Sequence, residues 1–253
     1  MGKITILGSG FAVPDEIQDN THLLISQGER TVLVDTACNP ILRLRKAGVE
    51  FDSIGDLILT HFHPDHVSGV PHFLMGMWLL GRKKPLDIYG LDHTNVRMKA
   101  MVDLYDLLAL PNFFPVHFHT IPEVEMAVVL ADGDLRIYSS PVKHLIPTIG
   151  LRIEFIPQHK IAAYSCDTEP CGQVVDLARG ADVLIHEGAG DSKGHTSPEQ
   201  AAGIAKLAGV SRLSLVHYSR LKQGLEESLV AARDIFSGPV DLLEDLNEIE
   251  FIS

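Results

Sequence analysis

Six consecutive residues, His61-Phe62-His63-Pro64-Asp65-His66, contain four side chains that could bind a metal. Zinc binds neutral imidazole nitrogens and carboxylate oxygens at roughly 2.0 to 2.2 Å. The cluster follows the apolar run LILT, and a dense polar cluster after a buried strand has no packing reason to exist. In an extended segment His61 and His63 point to one side, whereas Asp65 and His66, beyond Pro64, can face a second position. The spacing therefore predicts two adjacent metals.

Two metals need more ligands than this loop supplies, and other predicted strand ends offer them. Each of these residues alone is more often simply packed or solvated, so each gains meaning only beside the histidine loop. They are His144 after LRIYSSPVK, Asp167 after IAAYSC, His217 after RLSLV, and His195 in a glycine-bearing loop before a helix that Thr196 or Ser197 could cap.

The elements that must position these residues alternate between strands and helices. The chain opens with three strands, KITILG, HLLISQ and TVLV, that favour an antiparallel arrangement. Later strands and helices indicate two packed sheets with helices outside, an α/β fold in one domain over 1–253. The predicted helices include segments from about 67 to 80, 94 to 110 and 224 to 236, and the predicted strands include about 116–122, 125–130, 135–141 and 149–156.

Composition excludes several classes of protein. The chain has 253 residues, 45% hydrophobic and 21% charged, which is typical of a folded globular protein. Its longest apolar stretch covers about eight residues, against roughly 20 needed to cross a bilayer, and its N-terminus does not resemble a signal peptide. Cys38, Cys166 and Cys171 form no paired spacing, which suits reduced thiols. We therefore expect a cytoplasmic protein without a membrane partner.

The H-x-H-x-D-H loop after LILT resembles the signature of the metallo-β-lactamase superfamily. Four later segments narrow the resemblance to its tRNase Z (RNase Z) branch: PVKHLIPTIG, YSCDTEP, LIHEGAGDSKGHTSPEQAA and LVHYSRL. The resemblance covers the chain from Gly8 to about Leu221, with the motifs in the family's order. It implies the metallo-β-lactamase-type αββα sandwich of two mixed sheets.

The resemblance also implies a division of the ligands between two zinc ions, with Mn²⁺ or Fe²⁺ as alternatives. One ion would be bound by His61, His63 and His144, the other by Asp65, His66 and His217, with Asp167 bridging them. Asp35, in VLVDTA, matches an acidic residue that supports the ligands from behind.

Two zinc ions roughly 3.5 to 4 Å apart can hold a bridging hydroxide near neutral pH, which makes such a site hydrolytic. Asp65 can orient or deprotonate that water, or act as a plain ligand. His195 is left over once seven ligands are assigned, and in the tRNase Z pattern this histidine acts near the leaving group. Glu187 either orients His195 or is a capping or surface carboxylate.

The sequence departs from the family pattern in three ways. His144 and Asp167 are 23 positions apart, which leaves no room for the long insertion, here called the arm, with which tRNase Z enzymes grip tRNA. The formal charge of −12 opposes attraction to a phosphate backbone, and the run Arg82-Lys83-Lys84 is more typical of a solvated helix end. Cys166 stands where the family commonly has glycine, and YGLDH replaces YGP-G.

We therefore predict a dinuclear zinc phosphodiesterase of the tRNase Z-like branch. The alternatives are a true tRNA 3′-processing endoribonuclease, a hydrolase of lactones, thioesters or sulfate esters, and a binding protein that keeps metal for stability. An iron oxidoreductase is disfavoured, because redox members of this fold tend to have a carboxylate where His63 stands. The helix with Met75, Met77 and Trp78 is either core or a dimer face, and the resemblance to a family of homodimers favours a homodimer.

Overall fold

The computed structural model describes residues 1–37, 39–221 and 223–252, so the prediction for Cys38 lies outside the described residues. Two seven-stranded sheets pack face to face, and helices cover the outer face of each. This arrangement confirms the αββα sandwich that the resemblance implies. Cys166 and Cys171 are free thiols, in agreement with the reduced state that was expected for them.

The first sheet has the strand order β14-β1-β2-β3-β4-β5-β6. Strands β1 to β3 are antiparallel as predicted, whereas β3 to β6 are parallel because helical segments connect them. The strands are β1 (Gly2–Gly8), β2 (His22–Gln27), β3 (Arg30–Val34), β4 (Ile54–Ile58), β5 (Leu86–Gly90), β6 (Val116–Thr120) and β14 (Glu248–Phe251).

The second sheet has the order β13-β12-β11-β10-β9-β8-β7. Strands β7 to β10 are antiparallel neighbours, and β10 to β13 are parallel. The strands are β7 (Ala127–Ala131), β8 (Leu135–Val142), β9 (Thr148–Phe155), β10 (Lys160–Tyr164), β11 (Val183–Glu187), β12 (Leu213–Val216) and β13 (Val240–Leu242).

Helices α1, α3 and α4 pack on the first sheet and α5 to α7 on the second. They are α1 (Pro40–Lys46), α2 (Pro64–Val67), α3 (Val70–Leu79), α4 (Asp92–Asp103), α5 (Gly172–Ala178), α6 (Pro198–Ala208) and α7 (Leu225–Ile235). Among these helices, none is long and apolar enough to cross a bilayer.

Two helix boundaries differ from the prediction. The segment expected as one helix from Val67 is broken at Gly69, where a Cβ atom would lie 2.9 Å from the carbonyl oxygens of Thr36 and Ala37. The helix expected to reach Leu110 ends at Asp103, because Asp106 adopts a left-handed conformation (φ 51°) and a 3₁₀ turn follows.

Alternation along the strands divides the apolar side chains between three layers. In β1, Ile4 and Ile6 lie between the sheets, while the next residue, Leu7, packs toward the helices of the first sheet. Burying such side chains contributes about 1.5 to 3 kcal/mol each, before the cost of ordering the chain. The sandwich therefore provides a rigid base for the loops at the strand ends.

Candidate metal centre

The predicted site residues meet at one edge of the sandwich. Parallel strands end at the same edge of a sheet. Strands β3 and β4 are parallel in the first sheet, and β10, β11 and β12 are parallel in the second. Strand β8 is antiparallel to β9, which is antiparallel to β10, so β8 also ends there. Glu187 is the last residue of β11, and the segments after these strands carry the side chains of Asp35, His61, His63, Asp65, His66, His144, Asp167 and His217.

The first ligand group consists of His61, His63 and His144. The Nδ1 atom of His63 lies 3.0 Å from His61 Nε2 and 3.1 Å from His144 Nε2. Ligand nitrogens in a tetrahedral zinc site are about 3.3 Å apart, given bond lengths of about 2.0 to 2.1 Å. The three imidazoles therefore lie at the separation that a shared cation requires.

The second ligand group consists of Asp65, His66 and His217. His66 Nε2 lies 3.4 Å from Asp65 Oδ2, and both His66 and His217 are buried. Asp167 Oδ2 lies between the groups, 3.3 Å from His217 Nε2, 3.5 Å from His66 Nε2 and 3.9 Å from the Nε2 atoms of His61 and His144. The structure thus brings all seven predicted ligands together in the predicted division.

Several buried polar atoms at this centre have no hydrogen-bond partner among the described residues. They include Asp167 Oδ1 and both ring nitrogens of His217. A buried polar atom without a partner costs about 1 to 3 kcal/mol of folding free energy. Several such atoms in one cluster therefore indicate that a ligand binds there. The donor set of imidazoles and carboxylates fits divalent metal ions. The cluster is therefore suited to bind them.

Hydrogen bonds on the far side of the rings aim the ligand nitrogens. His66 Nδ1 lies 2.8 Å from Asp35 Oδ2, and His144 Nδ1 donates to the carbonyl oxygen of Gly194 at 2.6 Å. Asp35 also accepts hydrogen bonds from the backbone and hydroxyl of Thr60. Such contacts fix the tautomer and orientation of a ligating imidazole. Asp35 has the supporting position that the resemblance implies.

The pKa shifts of two histidines and of Asp167 favour the protonation states that bind metals, whereas burial of His66 is outweighed by the carboxylates around it, which raise its pKa. Burial lowers the pKa of His217 to about 4 and holds the pKa of His61 well below its usual range. Burial opposes ionisation of Asp167, but the surrounding histidines, His217 and His66 foremost, hold its pKa well below the usual range. Neutral imidazoles and an ionised carboxylate are the forms that bind metals.

Three residues at the strand ends adopt left-handed backbone conformations without being glycine: Asp35 (φ 60°), Cys166 (φ 53°) and His217 (φ 53°). Such conformations cost energy in non-glycine residues and concentrate at functional sites. Glycine would adopt the conformation of Cys166 at a lower cost, since it has no Cβ atom. The buried Cys166 thiol lies 3.6 Å from His61 Nδ1, behind the first ligand group.

Glu187 and His195 form a hydrogen-bonded pair beside the ligands. Glu187 is buried; its Oε1 lies 2.9 Å from His195 Nδ1 and accepts from Thr168 N, while Oε2 accepts from Ala189 N. Burial raises the pKa of Glu187 to about 7. Burial lowers the pKa of His195, but the bond to Glu187 outweighs this and raises it. Because the side chain of Glu187 is buried, its interpretation as a surface carboxylate is wrong.

The loop that carries His195 is fixed at both ends. Its carboxyl end leads into α6, whose first turn is capped by Ser197 with a reciprocal bond from Gln200, whereas the Thr196 hydroxyl donates to Thr168 O. Gly194 has a φ of 87°, and a Cβ atom there would lie 2.8 Å from Leu145. The cap predicted at Thr196 or Ser197 is thus formed by Ser197.

Two of the basic side chains near the site form ion pairs. Lys143 pairs with Glu169, and Arg220 pairs with Glu244. Arg82, expected at a solvated helix end, is instead 2% exposed and donates to the carbonyl oxygens of Lys84 and Pro85. It is a structural residue rather than a site for RNA.

Phe11 is a residue of the site that the sequence motifs missed. Its ring packs edge-on against His217 and His195, at centroid distances of 5.4 and 6.1 Å. The signal that could have found it is its position after Gly10, at the turn that follows β1.

The model of the beta-lactamase superfamily domain matches residues 30–218, and the chain belongs to this superfamily. A ribonuclease Z of Methanothermobacter thermautotrophicus is 28% identical over 306 aligned positions, covering 99% of this chain and 97% of that protein. The alignment is longer than the 253 residues of this chain, so the relative has segments that the chain lacks.

Solved structures show the same fold. Human tRNase Z, short form, superposes with a TM-score of 0.81 at 23% identity, covering 99% of this chain and 100% of that one. A diphosphatase of the PhnP family superposes with a TM-score of 0.78 at 18% identity, covering 99% and 98%. Together with the sequence matches, these findings confirm the resemblance to the RNase Z branch and the assignment to metal-dependent hydrolases.

Proposed function

We propose that this protein is a dinuclear zinc-dependent phosphodiesterase of the RNase Z-like branch. The observation that carries the proposal is the shared carboxylate: Asp167 Oδ2 lies within 3.9 Å of ligand nitrogens from both groups. A bridging carboxylate between two sets of imidazoles and carboxylates is what a two-metal hydrolase needs. Mn²⁺ or Fe²⁺ would fit the same ligand set.

Two divalent cations would supply a water of lowered pKa as nucleophile and positive charge for the phosphoryl oxygens. The chain itself supplies the proton for the leaving oxygen, from His195. Glu187 holds the His195 ring through Nδ1, which leaves Nε2 as the proton donor. Asp65, 14% exposed in its side chain, is placed either to orient the attacking water or to act as a plain ligand.

The experiment is hydrolysis of bis(p-nitrophenyl) phosphate with added zinc or manganese, together with elemental analysis of the purified protein. We expect metal-dependent turnover and up to two metals per chain. His63→Ala should abolish turnover, whereas Asp176→Ala, an exposed carboxylate in an i,i+3 ion pair on α5, is the matched control. Bound metal without turnover on any phosphodiester would contradict the proposal.

A second candidate is tRNA 3′-end endonuclease activity, and the names of the relatives favour it. The space between His144 and Asp167 is filled by β9, a 3₁₀ turn and β10, which leaves no arm. Phosphate contacts from Lys and Arg dominate affinity for nucleic acid, and the chain has a formal charge of −12. Incubation with a precursor tRNA carrying a 3′ trailer decides between the two.

Hydrolysis of lactones, thioesters and sulfate esters, measured with the same added metals, tests the remaining ester classes.

We also propose a homodimer and a cytoplasmic location. Helix α3 buries Phe73, Leu74 and Met77 but exposes Met75 (39%) and Leu79 (67%), so it is both core and a candidate dimer face. Light scattering of the purified protein measures the assembly state, and Leu79→Lys should give a monomer if this face is used.

A further inference from the structure

Phe11 is held rigidly beside the proposed proton donor. Its backbone N–H donates to Tyr218 O at 3.1 Å, and its carbonyl oxygen accepts from the buried side chain of Asn20 at 2.9 Å. The same amide group of Asn20 also donates to Ala12 O. Because both sides of the peptide are anchored, the ring position is set by the sandwich and not by a loose loop.

The Phe11 ring is half-buried, so one part contacts protein and another faces solvent at the mouth of the site. The contacted part meets His217, a proposed metal ligand, and His195, the proposed proton donor. A leaving group that takes a proton from His195 would therefore lie near this ring. An aromatic face in this position can stack on a flat group of the substrate.

An exposed leucine also lies beside the loop that carries His195. Leu145, 53% exposed, lies so close to Gly194 that a Cβ atom there would contact it at 2.8 Å. Exposed leucine beside a polar centre is typical of a small-molecule pocket, which combines apolar walls with a few polar groups. Two partly exposed apolar side chains, Phe11 and Leu145, therefore lie near His195 or the residue before it.

Charge on this side argues against a polyanionic leaving group. The segment from Phe11 to Asn20 contains Asp15, Glu16 and Asp19 and no Lys or Arg. It also exposes Val13 (65%) and Ile17 (64%). Asp19 is paired with Arg43, but Asp15 and Glu16 add negative charge. An RNA trailer brings one phosphate per nucleotide, and this segment has no cation of its own to bind them.

We propose that Phe11 determines the substrate class by stacking on a single flat ring, such as a nucleobase, carried by the leaving alcohol. The substrate is then a small phosphodiester with one phosphate and not an RNA chain. In the reaction the oxygen of water bonds to phosphorus and one of its protons passes to solvent. The bond from phosphorus to the leaving oxygen breaks, and that oxygen takes the proton from His195, which is protonated again from solvent. The products are a phosphomonoester and the ring-bearing alcohol. This inference rests on the proposed phosphodiesterase activity.

The test uses the zinc-loaded enzyme with the methyl ester of adenosine 5′-monophosphate, which has two leaving groups on one phosphate. Cleavage with adenosine at the Phe11 side yields adenosine and methyl phosphate, whereas the reverse orientation yields adenosine 5′-monophosphate and methanol. We expect adenosine and methyl phosphate from the wild type, measured by chromatography. A product mixture dominated by adenosine 5′-monophosphate overturns the inference.

The second measurement compares kcat/KM of Phe11 variants on methyl p-nitrophenyl phosphate, whose one ring is the leaving group. Stacking on an aromatic side chain predicts a loss of about tenfold for Phe11→Ala and near wild-type values for Phe11→Tyr. Tyr105→Ala removes an exposed aromatic ring after α4 and is the matched control. Elemental analysis must show unchanged metal in Phe11→Ala, because the ring also contacts His217.

The outcomes separate the inference from the function on which it rests. Equal kcat/KM for wild type and Phe11→Ala overturns the role of Phe11 while leaving the phosphodiesterase intact. No metal-dependent turnover of either p-nitrophenyl diester by the wild type removes the proposed function and the inference with it. Loss of metal in Phe11→Ala assigns the residue to support of His217 and also overturns the inference.

Discussion

The metal centre and the His195–Glu187 pair are neighbours with opposite chemistry. At the centre, Asp167 Oδ1 and the ring nitrogens of His217 have no hydrogen-bond partner among the described residues. In the pair, both carboxylate oxygens of Glu187 accept hydrogen bonds from the protein. The first region needs ions to satisfy its polar atoms, whereas the second is satisfied by the chain alone. We therefore expect substitutions in the His195–Glu187 pair to leave metal binding intact, and substitutions at the metal centre to leave the pair hydrogen-bonded.

The largest effect is expected from Asp167→Ala. Its carboxylate lies between both ligand groups, so its removal should leave neither group with a full ligand set. Metal content should fall toward zero, and turnover should fall below detection. Elemental analysis and the bis(p-nitrophenyl) phosphate assay measure these effects. Retention of two metals would show that the two ligand groups do not depend on a shared bridge.

On a diester with an alkyl leaving group, such as the methyl ester of adenosine 5′-monophosphate, His195→Ala should lower kcat by about 10²- to 10⁴-fold, the range for loss of a positioned acid or base. Metal content should stay unchanged, because His195 is not needed by either ligand group. Elemental analysis beside steady-state kinetics provides the check. If half the metal were missing in this variant, His195 would belong to the centre and the contrast between the regions would be wrong.

Asp35→Asn keeps the shape of the side chain but removes the charge behind His66. Loss of such a supporting partner lowers metal affinity by about 10- to 100-fold. The larger loss should fall on one of the two metals, because Asp35 contacts His66 directly but reaches the first ligand group only through the Thr60 hydroxyl, and His144 has a separate support in Gly194 O. A competition titration with a chelating dye measures both affinities. Equal weakening of both metals would remove the distinction between the groups.

Glu187→Gln should change the pH profile and leave the metal in place. The Glu187 carboxylate raises the pKa of His195, so the proton donor stays protonated to higher pH. Without that charge the pKa of His195 falls, and activity should decline at a lower pH on the alkaline side. The pH dependence of kcat tests this. If kcat of Glu187→Gln declined at the same alkaline pH as kcat of the wild type, another group would provide the proton.

The sequence predicts the ligands well because their chemistry leaves a dense local signal. Four polar residues in six follow an apolar strand, and the distant partners also follow strands that share one edge. The role of Glu187 is harder to predict, because the sequence pattern around a carboxylate at a strand end is the same whether the side chain is buried or exposed. Its role depends on Thr168, Ala189 and His195 meeting around it, and such contacts between distant segments are not visible in spacing.

Prediction of the fold from the sequence has the same limit. Strands with clear alternation and helices with glycine stops were predicted, but β13 and β14 were not, because strands of three or four residues carry little periodicity. Strand β14 gains its stability from pairing with β1, at the far end of the chain. Tertiary pairing of this kind outweighs local propensity. The left-handed conformations of Asp35 and His217 are likewise imposed by the surrounding structure.

The bond from His144 Nδ1 to Gly194 O joins a proposed ligand to the residue before His195. The hydrogen bond that orients His144 also holds the loop that carries His195, so a divalent ion bound by His144 would stabilise that loop as well. Slower amide hydrogen exchange across 191–196 on zinc addition, absent in His144→Ala, would show this coupling.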